Sequence, residues 1–129
     1  MDHASERPSG DSRDEWRDVR EVLTSEQADV LARVGALSSS LEDIIRASES
    51  SNADDEHDPE GSTIAFERAQ VAALLAQART HLGETTKALE RLDDGGYGRC
   101  ERCDAAIAPE RLQARPSART CIRCAAASR

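Results

Sequence analysis

The sequence has few large aromatic side chains and no long apolar run. Its 129 residues include one Phe, one Trp, one Tyr and one Met. A thick globular core is therefore not expected, because aromatic residues bury the largest areas. No segment has the apolar stretch of a signal peptide or the roughly 18 consecutive apolar residues of a membrane span. We expect a cytoplasmic protein that does not bind a membrane.

Charged residues are abundant and unevenly distributed. Residues 1–94 carry 22 acidic and ten basic residues, a net charge of −12. Residues 95–129 carry seven arginines and three acidic residues, a net charge of +4. Because DNA phosphates would repel the acidic part, we expect a protein partner with basic surfaces and no direct sequence-specific DNA binding.

Two segments have apolar residues at heptad spacing, which is typical of coiled-coil helices. The first runs from about Asp14 to Ser50 and the second from about Thr63 to Asp93. The predicted seam positions of the first helix are Trp16, Leu23, Val30, Val34, Leu37, Leu41 and Ile44. Those of the second helix are Ile64, Val71, Leu75, Ala78, Leu82, Thr85, Leu89 and Leu92. The weak positions of the first helix are Arg20, Gln27 and Ser48 in its seam, and Gly35, which costs helix stability.

These patterns predict a mainly α fold with three parts. Residues 1–13 are expected to be a disordered lead-in, and residues 14–94 an antiparallel coiled-coil helical hairpin, since neither helix can bury its apolar stripe alone. The hairpin tip, residues 49–61, holds six acidic residues and no Lys or Arg. A glycine-rich run after Leu92 is expected to end the second helix and to lead into a small four-cysteine module at residues 95–129.

The cysteines have the spacing C-x2-C-x17-C-x2-C and are Cys100, Cys103, Cys121 and Cys124. This spacing predicts one zinc ion held by all four thiolates. A site with four protein ligands has no open position for substrate, so the zinc is expected to be structural and to supply much of the folding free energy of the module. A redox dithiol is the alternative. The neighbouring Arg99, Arg102 and Arg123 could offset the thiolate charge or form a contact surface.

The residues around the cysteines resemble the TraR/DksA family of four-cysteine zinc-finger proteins, which bind RNA polymerase. The resemblance rests on Tyr97-Gly98-Arg99-Cys100-Glu101-Arg102-Cys103, Ile107, Arg111-Leu112-Gln113-Ala114-Arg115-Pro116 and Cys121-Ile122-Arg123-Cys124. The hairpin that precedes this block has the layout and order of the family. Asp104 stands where the family usually has Gly, and aspartate tolerates a left-handed backbone better than most residues.

The resemblance implies a zinc-binding transcription regulator that inserts its hairpin into the secondary channel of RNA polymerase. The tip would lie near the catalytic magnesium and modulate initiation, often together with ppGpp. Asp55 and Asp58 match the D-x-x-D spacing of the family's tip, and Glu60 replaces the alanine that usually follows. These three are the candidate partner-binding residues. An ungapped count back from the cysteines would instead place His57 and Glu60 at the acidic positions.

Other classes of function fit the sequence less well. The main alternative is a structural or scaffolding zinc protein that docks on another protein partner or self-associates. A DNA-binding zinc finger could use the arginines, but the sequence shows no convincing recognition helix. An enzyme is not expected, because the sequence has no Ser/His/Asp order, no phosphate loop and no open metal site.

Overall fold

The computed structural model describes the backbone of residues 9–51 and 59–127 and the side chains of residues 16–50 and 61–127. It contains four helices, which are α1 (Ser9–Ser51), α2 (Pro59–Asp94), α3 (Pro109–Ala114) and α4 (Ile122–Ala127). The two long helices form a hairpin, and the described residues contain an isolated β-bridge between Arg99 and Ala106 but no strand. The predicted fold class, a mainly α chain with a helical hairpin before the cysteines, is confirmed.

Both long helices begin earlier than predicted. Helix α1 begins at Ser9, so residues 9–13, which were expected to be disordered, are helical, and residues 1–8 lie outside the described residues. Once a helix is nucleated, each further residue adds a backbone hydrogen bond, so a polar segment can extend it without an apolar stripe. Helix α2 begins at Pro59. Proline suits the first helical turn, where its missing N–H would have no partner.

The chain divides into two compact units, and the division differs from the predicted boundary at residue 94. One unit comprises residues 1–27 and 84–129, and the other comprises residues 28–83. The first turns of α1 and the last turns of α2 belong to the same unit as the cysteine segment, because their apolar side chains pack on its core. The partly buried residues that do so are Trp16, Val19, Leu89 and Leu92.

The core of the first unit combines α1, α2 and the cysteine segment. Its buried residues are Leu23, Ala88, Tyr97, Cys100, Ile107, Leu112 and Ala118. The rings of Trp16 and Tyr97 meet edge to face, with their centroids 4.8 Å apart and an interplanar angle of 78°. This is a favoured arrangement for aromatic pairs. The Tyr97 hydroxyl donates a hydrogen bond to the Pro116 carbonyl at 2.6 Å. The side chain of Tyr97 therefore contacts both α1 and the segment that follows α3.

Two of the weak seam positions find polar partners on α2. The guanidinium of Arg20 lies 2.9 Å from a carboxylate oxygen of Asp93. The amide nitrogen of Gln27 donates to the Thr86 hydroxyl at 3.0 Å. These polar seam residues therefore keep hydrogen-bonding partners where the two helices face each other.

The second unit has the two apolar stripes that the heptads predict. Val30, Leu75 and Ala78 are buried. The remaining predicted seam residues of this unit are half-buried, and they are Val34, Leu37, Leu41, Ile44, Ile64, Val71 and Leu82. No described helix combines the length and the apolar character that crossing a lipid bilayer requires.

Candidate metal centre

The four predicted zinc ligands come together in the first unit. Their Sγ atoms all lie within 4.8 Å of one another, and those of Cys103 and Cys121 are 3.8 Å apart. Four sulfurs placed tetrahedrally at about 2.3 Å from a zinc ion are about 3.8 Å from one another. All four cysteines are free thiols, so every ligand atom is available. The donor set and its spacing therefore fit one zinc ion.

A tight turn positions the first pair of cysteines. The Cys100 N–H donates to the Ala105 carbonyl, and the Asp104 N–H donates to the Cys100 carbonyl, both at 2.8 Å. Asp104 has a φ of 65°, as the sequence predicted for the position where the family has glycine. A left-handed residue reverses the chain just after Cys103, which brings both thiols of the pair to one side.

The second pair of cysteines lies at the start of α4. Cys121 immediately precedes this helix, and Cys124 lies within it. The Ala125 N–H donates to the Cys121 carbonyl at 2.9 Å, which closes the helical turn that carries both thiols. One helical turn therefore brings the thiols of the second pair within 4.8 Å of each other.

The surroundings set different pKa values for the thiols. At Cys100 burial raises the pKa, but hydrogen bonds from the backbone N–H groups of Cys103, Cys121 and Arg102 outweigh it and lower the pKa to about 6. The backbone N–H of Cys124 lowers the pKa of Cys121. Hydrogen bonds with the Cys100 and Cys121 side chains raise the pKa of Cys124 to about 12. Zinc binding must therefore displace a proton from the site.

Two arginines hold the second cysteine pair in place. The sequence alone did not assign this role to them. The Arg91 guanidinium donates to the Ala118 carbonyl at 3.1 Å, and Arg111 Nε donates to the Thr120 carbonyl at 2.9 Å. Both carbonyls lie within three residues before Cys121. Arg91 occupies the last turn of α2, a position that no local sequence motif connects with residue 118.

A second set of contacts joins the two cysteine pairs to each other. The Glu101 N–H donates to the Arg119 carbonyl at 2.9 Å, and the Arg119 guanidinium lies 3.6 Å from the Glu101 carboxylate. Arg99, for which the sequence left open a role in offsetting thiolate charge or in a contact surface, lies 3.7 Å from the Asp104 carboxylate. Protein contacts therefore fix the segments that carry the four cysteines relative to each other.

The structure describes the candidate tip residues less fully than the four cysteines. Asp55 and Asp58 lie outside the described residues. Glu60 lies in the first turn of α2, and its side chain is outside the described ones. Their role as partner-binding residues stays a prediction.

The first similarity to known proteins concerns the residues of the metal centre. Residues 95–128 match the family model for the prokaryotic dksA/traR C4-type zinc finger. The solved structure of transcription factor DksA2 from Pseudomonas aeruginosa is similar, with a TM-score of 0.70 and 25% identity over 87% of this chain and 81% of that chain. Together these findings support a TraR/DksA family protein. No curated protein matches the chain.

These findings confirm the resemblance predicted from the residues around the cysteines. The match to DksA2 covers 87% of the chain, so it includes the long hairpin as well as the zinc finger. A C4-type zinc finger and four clustered cysteines agree with the predicted cofactor, one zinc ion. The matching family model is a zinc finger and the similar solved structure is a transcription factor, so the comparisons support a transcription-factor-like regulator, which agrees with the expectation that the protein is not an enzyme.

Proposed function

We propose that this protein binds RNA polymerase and that its acidic tip, residues 49–61, enters the secondary channel to modulate initiation. The observation that carries the proposal is the match to a transcription factor, DksA2, over hairpin and zinc finger together. A match confined to the zinc finger would support a metal site only. The hairpin is the element that the proposed mechanism uses.

The physical properties of the hairpin support the proposal. An α-helix with its side chains is about 10–12 Å wide, so a two-helix hairpin is narrow enough for a channel. The tip carries six acidic residues and no basic ones. Carboxylates are attracted to a basic channel that leads to a magnesium ion, and this attraction accelerates association at low ionic strength.

The zinc centre has a supporting role in this mechanism. Cys100 is part of the same core as Leu23 of α1 and Ala88 of α2. Zinc bound by Cys100 would therefore stabilise the core against which the start of α1 and the end of α2 pack. We propose that the metal holds the hairpin base and that the tip acts on the polymerase.

Binding to purified RNA polymerase tests the proposal. We expect the wild-type protein to bind and the tip variant Asp55→Lys/Asp58→Lys to bind at least about tenfold more weakly, because four units of charge are changed at the proposed contact. The control Asp29→Lys/Glu42→Lys makes the same charge change at exposed positions of α1. Equal binding by the tip and control variants would contradict insertion of the tip. No binding by the wild type would contradict the polymerase as partner.

A transcription assay examines ppGpp as an effector. Transcription from a responsive promoter is measured with wild type and the tip variant, each with and without ppGpp. A change in the wild-type effect on adding ppGpp would assign the alarmone to this complex, and an unchanged effect would remove it from the mechanism. A polymerase partner also implies the cytoplasmic location that the sequence predicts.

Sedimentation discriminates the regulator from a self-associating scaffold. The proposed regulator acts as one hairpin in one channel, so we expect a monomer at the concentrations used for polymerase binding. A stable dimer that does not bind polymerase would favour the scaffold.

A further inference from the structure

A groove of about 720 Å³ lies on the first unit beside the metal centre. Four alanines line it, and they are Ala105, Ala106, Ala108 and Ala114. Ile122, at the start of α4, also lines the groove and is 68% exposed. Ile122 is one of the few large apolar residues of the cysteine segment, yet Ile107 and Leu112 are buried and Ile122 is not. An exposed apolar side chain beside an apolar concave surface is typical of a binding site.

The charged residues of the groove are mainly basic. Arg111, Arg115 and Arg123 line it together with one acidic residue, Glu110, and with Cys121 of the metal centre. Arg111 is engaged by the Thr120 carbonyl and belongs to the support of the metal centre. Arg115 and Arg123 are exposed. The groove therefore offers two accessible guanidinium groups next to an apolar surface.

We propose that this groove binds an acidic amphipathic segment of a partner protein. An apolar side chain of that segment packs on Ile122 and the alanines, and its carboxylates pair with Arg115 and Arg123. Guanidinium groups bind carboxylates through two parallel hydrogen bonds, and alanine side chains allow a close approach of a peptide backbone. A single-stranded nucleic acid fits less well, because the groove lining contains no aromatic side chain on which a base could stack.

The proposal concerns a surface other than the acidic tip, and it does not rest on the polymerase as partner. The tip presents carboxylates, whereas the groove presents guanidinium groups and an isoleucine. Loss of binding at one surface can therefore be measured without changing the other. Failure of one proposal leaves the other standing.

Two synthetic peptides test the groove on the zinc-loaded full-length protein. The first is a capped amphipathic helix of Glu and Leu, and the second has Lys in place of every Glu. We expect the Glu peptide to bind at least about tenfold more tightly than the Lys peptide, with an affinity that falls as salt rises. It should also shift the methyl resonance of Ile122. Equal binding of the two peptides, or an unmoved Ile122 resonance, would overturn the proposal.

Charge reversal sharpens the test. Arg115→Glu/Arg123→Glu should reverse the preference, so that the Lys peptide binds more tightly than the Glu peptide. The control Arg68→Glu/Arg102→Glu makes the same charge change outside the groove, and one of its positions also lies next to a cysteine. Zinc content is measured for each variant. If the double variant loses zinc, Arg115→Glu alone replaces it, because Arg115, unlike Arg123, is not adjacent to a cysteine, and this single variant should weaken the preference for the Glu peptide.

Two results of these experiments would contradict the assignment. A reversed variant that keeps the wild-type preference would show that the arginines do not select the ligand. A concentration-dependent dimer that is lost in Ile122→Asp would show that the groove belongs to a second copy of the chain.

Discussion

Tyr97 shows how much one side chain contributes to the first unit. Its ring packs edge to face on Trp16, and its hydroxyl donates to the Pro116 carbonyl. Burial raises the pKa of Tyr97, and the nearby Arg91 cation opposes that effect in part. The neutral phenol is therefore the form that the folded protein favours.

Because the pKa of Tyr97 is raised above its ordinary value of 10.0 in the folded protein, the contribution of this residue to stability has a defined pH dependence. It is fully present below pH 10 and is lost as the pH rises through the folded-state pKa, since the unfolded chain loses the phenolic proton first. Tyr97 is the one tyrosine of the chain, so its absorbance reports this titration directly. We expect a higher midpoint in the folded protein than in urea. An equal or lower midpoint would contradict the burial described here.

Gly98 is required by its backbone conformation. Its φ is +87°, and a Cβ atom placed there would lie 3.4 Å from the Trp16 ring. We predict that Gly98→Ala destabilises the protein by about 1–2 kcal/mol, the cost of a left-handed residue with a side chain. Urea unfolding of the zinc-loaded protein measures the change.

Gly83 provides the matched control for that substitution. It lies within α2, and a Cβ atom placed there would have no atom of a neighbouring element within 4 Å. Gly83→Ala should stabilise the protein by about 0.5–1 kcal/mol, because alanine loses less backbone entropy in a helix. A Gly98→Ala variant as stable as Gly83→Ala would refute the requirement for glycine at this left-handed position.

At the scale of helices, the heptads predicted both stripes but not how the polar seam residues are accommodated. Arg20 and Gln27 weaken the apolar pattern, and the structure pairs them with Asp93 and Thr86. Heptad periodicity identifies which residues of one helix share a face. It does not give the register between two antiparallel helices, which decides whether a polar residue meets a partner.

The Gln27–Thr86 hydrogen bond leads to a prediction about coupling. Thr86→Val should cost about 1 kcal/mol, because it leaves the partly buried Gln27 amide without this partner. Gln27→Leu/Thr86→Val should be close to neutral, since both polar groups are removed together. Unfolding free energies of the two single variants and the double variant give the coupling. Strictly additive changes would show that the hydrogen bond contributes nothing to the hairpin.

The clustering of the four cysteines could be predicted from the sequence, whereas the residues that support the cluster could not. Two CxxC pairs at this spacing identify four sulfurs that can reach one ion, and an aspartate in place of glycine identified the left-handed turn at Asp104. The contact of Arg91 with Ala118 joins residues 27 positions apart. This contact depends on how α2 packs against the cysteine segment, and no local sequence pattern predicts that packing.

At the scale of the whole molecule, the division into two units could not be predicted either. Composition and charge change near residue 95, and the sequence therefore suggested a boundary there. Packing instead groups residues 1–27 and 84–129, because Trp16 and Leu23 of α1 share a core with Tyr97. The position at which the charge changes along the chain therefore does not coincide with a boundary between the two packed units.

Zinc removal should affect the two units differently. Cys100 is buried in the first-unit core, so a chelator should disrupt that core and change the fluorescence of Trp16, the one tryptophan of the chain. Helical circular dichroism should fall only in part, because the second unit buries its own residues Val30, Leu75 and Ala78. Added zinc should restore both signals. Unchanged Trp16 fluorescence in the metal-free protein would contradict a structural role for the metal.

The most direct test of the central claim replaces the catalytic magnesium of RNA polymerase with Fe²⁺, which generates hydroxyl radicals that cleave nearby polypeptide. Our account predicts cleavage of the bound protein within the tip, residues 49–61, and a marked reduction of that cleavage with Asp55→Lys/Asp58→Lys. Cleavage confined to residues 95–129, or none in a complex shown to form, would contradict insertion of the tip into the secondary channel.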